Sequence, residues 1–235
     1  MTGLIKACLW QLAPCSCLLC GAQNRQAICA DCVQQFFSIP AVRCMRCAIP
    51  LLTSDQLCGQ CLAAPPAFSC TIAACDYRAP LDELILALKF RHQLEAAPAL
   101  AVQMACAAAK APHAPELLMP VPLSRARLAQ RGFNQSLEIA RPLATLMDRP
   151  LYPQLLHRLR DTTAQSLLHP DARRENILHA FAPDEATRDR IRGRHIGVVD
   201  DVMTTGATLN EIAVCLKRHG AVRVTNLVFA RTPSH

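Results

Sequence analysis

The period of apolar and polar positions changes along this chain, and the change divides it. From Cys70 onward, short apolar runs rich in β-branched residues alternate with stretches of helical periodicity, the pattern of an α/β protein. Cys70 to Tyr77 reads as a strand. Pro80 can open a helix, with Asp82 and Glu83 in its first turn and Leu84, Ile85 and Leu88 on one face. Residues 95–109 are alanine-rich and predict a helix that serves packing. Leu117 to Leu123 predicts a strand ending in a proline-restricted turn. Ile196-Gly197-Val198-Val199 predicts a buried parallel strand, and Leu209, Ile212, Ala213 and Leu216 mark a helix that begins at Ala207. Glu185 to Gly193 reads as a charged surface helix or turn, and Arg223 to Ala230 as a last strand. Before Cys70 the periodicity fails. Residues 62–69, with two prolines, read as a linker.

Cysteine spacing explains the aperiodic first quarter. Eight of the 14 cysteines form four C-x₂-C knuckles: Cys17/Cys20, Cys29/Cys32, Cys44/Cys47 and Cys58/Cys61. Such a turn aims two thiolates at one ion, and two turns complete a tetrahedral site, so the expectation is two structural Cys₄ zinc sites. Disulfides do not suit an intracellular α/β protein, and an iron–sulfur cluster is a weaker alternative. The simplest pairing joins consecutive knuckles, as in two tandem ribbons, while spacing leaves an interleaved pairing, first with third, open. A module this small buries little core, so metal is expected to be its main source of stability. Cys8, Cys15, Cys70, Cys75, Cys106 and Cys215 are left over and are expected to carry no chemistry.

The richest chemistry follows the 196–199 run. Asp200 and Asp201 stand together where the strand is expected to end, and Met203-Thr204-Thr205-Gly206-Ala207-Thr208 follows before the helix. Ligands of open α/β sheets bind beyond the carboxyl ends of strands, where helix N-termini offer free N–H groups. Gly206 admits a ligand close to the backbone, and Thr204, Thr205 and Thr208 add hydroxyls: a phosphate cradle. The acids suit sugar hydroxyls or Mg²⁺. A Walker loop would need a lysine after the glycine, and a Rossmann loop two more glycines. A purely structural turn would not need two carboxylates at the end of a buried strand.

Two further stretches are polar beyond what solvation asks. After Leu123, the residues Arg127, Arg131, Asn134, Gln135 and Ser136 crowd past a strand end, with Gly132 interrupting the helix among them. Residues 157–183 are long, polar and weakly periodic, with Arg158, Arg160, Arg173, Arg174, Gln165 and Asn176, which suits a functional loop. The eight histidines show no ligand spacing and are expected on the surface or in loops.

Charge and composition refine this picture. The formal net charge is +7, and residues 120–235 hold 17 basic against 11 acidic side chains, which favours an anionic ligand in that half. Eight ligating thiolates and two Zn²⁺ would lower +7 to about +3, so the protein is less basic than its count. With 4% aromatics no base-stacking platform stands out. The N-terminus, broken by Lys6 and Gln11, is too short to span a membrane. It predicts a short helix docking Leu4, Ile5, Leu9, Trp10 and Leu12, and a cytoplasmic, non-inserted protein is expected.

Four apolar residues, two acids and the Thr-Thr-Gly-x-Thr loop resemble the signature with which type I phosphoribosyltransferases bind phosphoribosyl pyrophosphate (PRPP). Val121-Pro122-Leu123, Arg131-Gly132-Phe133-Asn134-Gln135, then Gln165, Arg173, Asn176 and Phe181, all preceded by cysteine knuckles, resemble the ComF/GntX family associated with DNA uptake. That resemblance implies a type I phosphoribosyltransferase fold (a mostly parallel sheet flanked by helices) over 70–235 and a zinc-ribbon module over 1–61. It implies PRPP as substrate or ligand, with Mg²⁺. Residues 203–208 would hold the 5′-phosphate and Asp200 and Asp201 the ribose hydroxyls. Pro122-Leu123-Ser124, Arg131 and Gln135 would face the pyrophosphate, and Gln165, Arg173 and Asn176 would close over it as a hood. Leu88-Lys89-Phe90 matches a family motif of unclear role. No residue stands out as a general base, and the acceptor is open. The alternative is a PRPP-regulated or non-catalytic DNA-uptake protein, with single-stranded DNA or competence proteins as partners of the zinc module.

Overall fold

A computed structural model describes residues 15–37, 42–52, 57–159 and 180–233. The expected N-terminal helix lies outside these residues, as do Arg160, Gln165, Arg173, Arg174 and Asn176 of the expected hood.

The centre is a four-stranded parallel sheet of β3 (Cys70–Asp76), β4 (Leu117–Pro120), β7 (His195–Met203) and β8 (Arg223–Arg231), in the order β3-β8-β7-β4. Parallel neighbours need crossovers, and helices supply them. Between β3 and β4 run α3 (Leu81–Phe90) and α4 (Ala96–Ala108); α5 (Arg125–Arg131) and α6 (Gln135–Met147) follow β4; α7 (Ala207–Arg218) joins β7 to β8. This is the α/β architecture the sequence predicts. A small antiparallel pair, β5 (Leu156–Arg158) and β6 (Phe181–Pro183), brackets residues 159–180.

β7 and β8 form because β-branched side chains fit a surface buried on both faces. Successive side chains of β7 enter different cores: Val198 packs with Leu209, Ile212 and Leu216 of α7, and Val199 with Leu100, Ile139 and Leu143 of α4 and α6. Gly197 is required by close packing, since a Cβ there would lie 2.5 Å from Leu118 Cδ2.

The two cysteine-rich ribbons dock on different faces of this sheet. The first contains β1 (Cys15–Ser16), β2 (Gln23–Asn24) and α1 (Ala30–Phe37), and its Cys17, Ile28 and Cys32 join the core on the α4–α6 side. The second contains α2 (Gly59–Ala63), and its Cys44, Cys47, Ile49 and Cys61 join the core on the α7 side. Residues 64–69 run against the domain: Phe68 is 2% exposed, and Ala67 N–H donates to Asn210 Oδ1 of α7 at 2.7 Å.

Two expectations need revision. β7 does not stop at the acid pair; it pairs with β8 as far as Met203↔Arg231, so both acids lie within a paired strand. His195 is neither surface nor loop, being buried with Nε2 2.8 Å from Thr225 Oγ1. Burial, then Arg223, lowers its pKa, so it sits neutral in that contact. The stretch 185–193 is the charged surface turn expected, with a short 3₁₀ helix at Arg188–Arg190, and the fully buried Ile191 anchors it.

Candidate ligand site and metal sites

The Arg131-Gly132-Phe133-Asn134-Gln135-Ser136 stretch is a helix–turn–helix joint that aims side chains at the acids. Gly132 ends α5 at φ 79°, a left-handed conformation that suits glycine. Asn134 caps α6 by accepting from Ser136 N–H at 3.0 Å, and its own amide donates to Val121 O at 3.0 Å, fixing the joint to the end of β4. The first two residues of α6 then reach β7: Ser136 Oγ donates to Asp200 Oδ1 at 2.8 Å, and Gln135 Nε2 lies 3.5 Å from Asp201 Oδ1. Arg131 donates to Gln135 Oε1 and stacks over Phe90, 5.6 Å from the ring centre.

Lys89, in the last turn of α3, makes an ion pair with Asp201 Oδ2. The environments of the two acids therefore diverge. Burial would raise Asp201, but Lys89 and the hydrogen bonds from Asp200 and Gln135 outweigh it and hold that carboxyl below its ordinary value. Burial, reinforced by Asp201, pushes Asp200 up to about 8 despite the Ser136 hydroxyl. The pair is one fixed carboxylate beside one that keeps its proton near neutrality.

Beyond β7 the chain turns through Thr204, Thr205 and Gly206 into α7. Gly206 has φ 80°, and a Cβ there would run into the Met203 side chain. Thr205 Oγ1 accepts from Ala207 N–H at 3.4 Å. The loop thus opens onto the N-terminus, the positive end, of a 12-residue helix, whose first bond runs from Asn210 N–H to Gly206 O at 2.8 Å. Acids, loop and α5–α6 joint surround one cavity of about 330 Å³. Of the residues singled out in the sequence, Asp200, Asp201, Arg127, Arg131, Gln135, Leu123, Arg158, Met203, Thr204, Gly206, Ala207 and Thr208 line it. Pro122, Ser124 and Thr205 are not among its lining; Ser124 instead caps α5, its Oγ accepting from Arg127 N–H at 3.4 Å.

Sequence reasoning assigned no role to Lys89 or Arg231. Lys89 reads as a cation complementing the C-terminus of its helix, and nothing local ties it to acids on a distant strand. Arg231 carried a usable signal, a cation at the carboxyl end of a buried parallel strand. Its Nη1 donates to Met203 O at 3.2 Å and Thr204 O at 2.6 Å, clamping the loop from beneath.

The cysteines pair by consecutive knuckles. Cys17, Cys20, Cys29 and Cys32 bring their sulfurs within 4.8 Å of one another, as do Cys44, Cys47, Cys58 and Cys61. A Zn–S bond of about 2.3 Å in a tetrahedron sets sulfurs about 3.8 Å apart; the Cys20–Cys29 and Cys47–Cys58 pairs stand at 3.7 and 3.6 Å. Each site repeats one design. The N–H of the third cysteine points at the first sulfur, Cys29 to Cys17 at 3.4 Å and Cys58 to Cys44 at 3.3 Å. Burial raises these first thiols, but such N–H donors outweigh it and bring Cys17 to about 6 and Cys44 to about 7, poised as thiolates for a metal. The donor sets fit Zn²⁺. Each leading knuckle also closes with a left-handed residue, Gly21 at φ 75° and Ala48 at φ 57°.

A double zinc ribbon domain matches residues 8–62. The DNA utilization protein YhgH of Escherichia coli O157:H7 is 35% identical over 80% of this chain and 84% of its own. Competence protein F of Haemophilus influenzae is 32% identical over 85% and 88%. Among solved structures, the glutamine PRPP amidotransferase of B. subtilis complexed with ADP and GMP aligns over 55% of this chain and 25% of that chain, at 18% identity and a TM-score of 0.36, too distant to carry an argument. Among the described residues no helix is long and apolar enough to cross a membrane. With relatives this similar across most of their length, and with both cysteine sites formed, the chain belongs to the ComF/GntX family of competence and DNA-utilization proteins.

Proposed function

We propose that this protein binds PRPP in the cavity between Asp200–Asp201 and residues 203–208. The observation that carries the reading is the acid pair, one member held ionised and one raised, directly beside a glycine-opened helix N-terminus. In this reading α7 N–H groups and the threonine hydroxyls hold the 5′-phosphate. Asp201, oriented by Lys89 and Gln135, accepts from ribose hydroxyls. Arg127 and Arg131 meet the pyrophosphate, with Arg173, Gln165 and Asn176 proposed to close over it. Asp200, giving up its raised proton to the incoming cation, would suit a Mg²⁺ that arrives on the pyrophosphate, since that ion takes one or two carboxylates and completes its shell with phosphate and water. When bound, it would neutralise charge on the leaving group.

Transfer to an acceptor breaks the anomeric C–O bond and releases pyrophosphate through an oxocarbenium-like state, which the acid pair would stabilise. Calorimetric titration with PRPP and Mg²⁺ tests binding. Saturable 1:1 uptake lost in the Asp200→Asn/Asp201→Asn variant is expected; no uptake by the wild type contradicts it. Pyrophosphate release across a panel of nucleophiles then tests turnover. The second reading, a DNA-handling protein with PRPP as regulator, is favoured by the relatives' names. It predicts single-stranded DNA affinity that falls steeply with salt and no pyrophosphate release.

A further inference from the structure

Arg231 ends β8 and is 5% exposed, yet none of the ion pairs among the described residues involves it. A buried guanidinium without a carboxylate is costly unless other groups compensate. Its contacts run in two directions. Nε donates to the carbonyl oxygen of Cys47 at 2.8 Å, and Nη1 donates to the carbonyls of Met203, Thr204 and Thr232. Cys47 is a ligand of the second metal site, and Met203 and Thr204 open the phosphate loop. One side chain therefore joins a zinc ligand to the loop.

The electrostatics of a loaded site fit this arrangement. One Zn²⁺ with four thiolates carries a net charge of about −2. When the second site is loaded, that charge sits at the residue whose carbonyl the guanidinium holds and supplies compensation that no carboxylate among the described residues provides. A second link runs parallel. The chain leaving this ribbon donates from Ala67 N–H to Asn210 in the first turns of α7, and Arg46 Nη1 holds the Pro66 carbonyl at 3.2 Å. The first ribbon meets the other face of the sheet, where Cys17, Ile28 and Cys32 pack in the core of α4 and α6.

We propose that Arg231 is a positioning residue that makes the phosphate loop depend on the second zinc site and not on the first. With Zn²⁺ bound, the Cys47 carbonyl and the guanidinium are fixed, and the loop is held open for an anion. Without it, Arg231 loses its counter-charge and the loop loosens. This rests on reading residues 203–208 as the anion-binding loop.

The test is hydrogen exchange at the amides of residues 203–206 in the full zinc-loaded chain, read beside zinc content and PRPP calorimetry. Arg231→Met is expected to keep its zinc while loop exchange quickens roughly tenfold or more. Arg231→Lys, which keeps the charge and can reach one carbonyl, should recover part of the protection. Cys58→Ser, which weakens the second site without touching the residue bonded to Arg231, should reproduce the faster exchange; Cys29→Ser, its counterpart in the first site, should leave the loop unchanged. Wild-type exchange rates in both Arg231→Met and Cys58→Ser would overturn the inference, as would equal loosening by Cys29→Ser and Cys58→Ser. If Arg231→Met fails to fold, the two cysteine variants decide alone. A loop that loosens as expected in a protein that takes up no PRPP would support the coupling and remove the proposed ligand.

Discussion

The two cysteine sites repeat one local design and differ in what surrounds it. Both place four sulfurs within 4.8 Å, and both lower the first thiol with the N–H of the third cysteine. The first keeps Cys20 exposed, and it meets the domain through apolar side chains such as Phe37, whose ring lies 6.0 Å from that of Phe229. The second has no exposed cysteine and adds polar ties to its apolar contacts: Arg231 to Cys47, Arg43 to Asp76 at 2.8 Å, and Ala67, in the chain leaving it, to Asn210. A zinc site can serve a fold by closing a small module or by bracing a neighbour. Ligand geometry is the same for both; the contacts beyond the ligands set the role.

The largest effect that could break this comparison is loss of metal at one site. Cys61→Ser should destabilise the α/β domain by several kcal/mol, since it removes a ligand that also lies in the α7-side core. Cys20→Ser should release the first zinc with a smaller fall in the thermal midpoint of that domain. Calorimetric melts of the two variants check this, and equal losses would erase the distinction.

Lys89→Met comes next. It removes the cation paired with a carboxylate that is 3% exposed, and an uncompensated buried charge is expensive. A fall in PRPP affinity of more than about tenfold is expected, with both zinc ions retained. Loss of zinc in this variant would mean that acid pair and metal sites are not separate features.

The acid pair also gives a pH signature. The folded-state pKa of Asp200 is raised above its ordinary value, so its contribution to stability is complete below about 4 and is lost as pH rises through about 8. Asp200→Asn cannot titrate. Its stability relative to wild type should therefore grow between pH 6 and pH 9, reaching on the order of 2 kcal/mol, in denaturant titrations. A difference that stays flat would show that Asp200 is already ionised at pH 6. The smallest effect belongs to Arg43→Ala, which cuts a partly buried ion pair between the second ribbon and β3 and should cost about 1 kcal/mol.

Much of this was legible in the sequence because it is local. The knuckles, the 203–208 loop and the Gly132 break each announce themselves within a few residues, and the strands follow from β-branched runs. What escaped depends on distance. Lys89 against Asp201 and Arg231 between Cys47 and Thr204 are contacts between segments far apart in the chain, which no periodicity encodes. His195 escaped for another reason. A histidine opening a strand looks like a boundary residue until the partner strand is known to bring Thr225 beside it. The extension of β7 past its acids was hidden likewise, because adjacent carboxylates argue against a buried strand unless Lys89, Gln135 and Ser136 are there to satisfy them.

That the second zinc site and the loop at 203–208 form one unit is tested most directly on the unaltered protein. Coupling between two sites is reciprocal, so a ligand held by the loop must tighten the hold on the second metal. Zinc release to a chromogenic chelator should be biphasic, the faster phase from the more exposed first site. Adding saturating PRPP is predicted to slow the second phase several-fold and leave the first unchanged. PRPP that binds yet alters neither phase, or slows both alike, would contradict it.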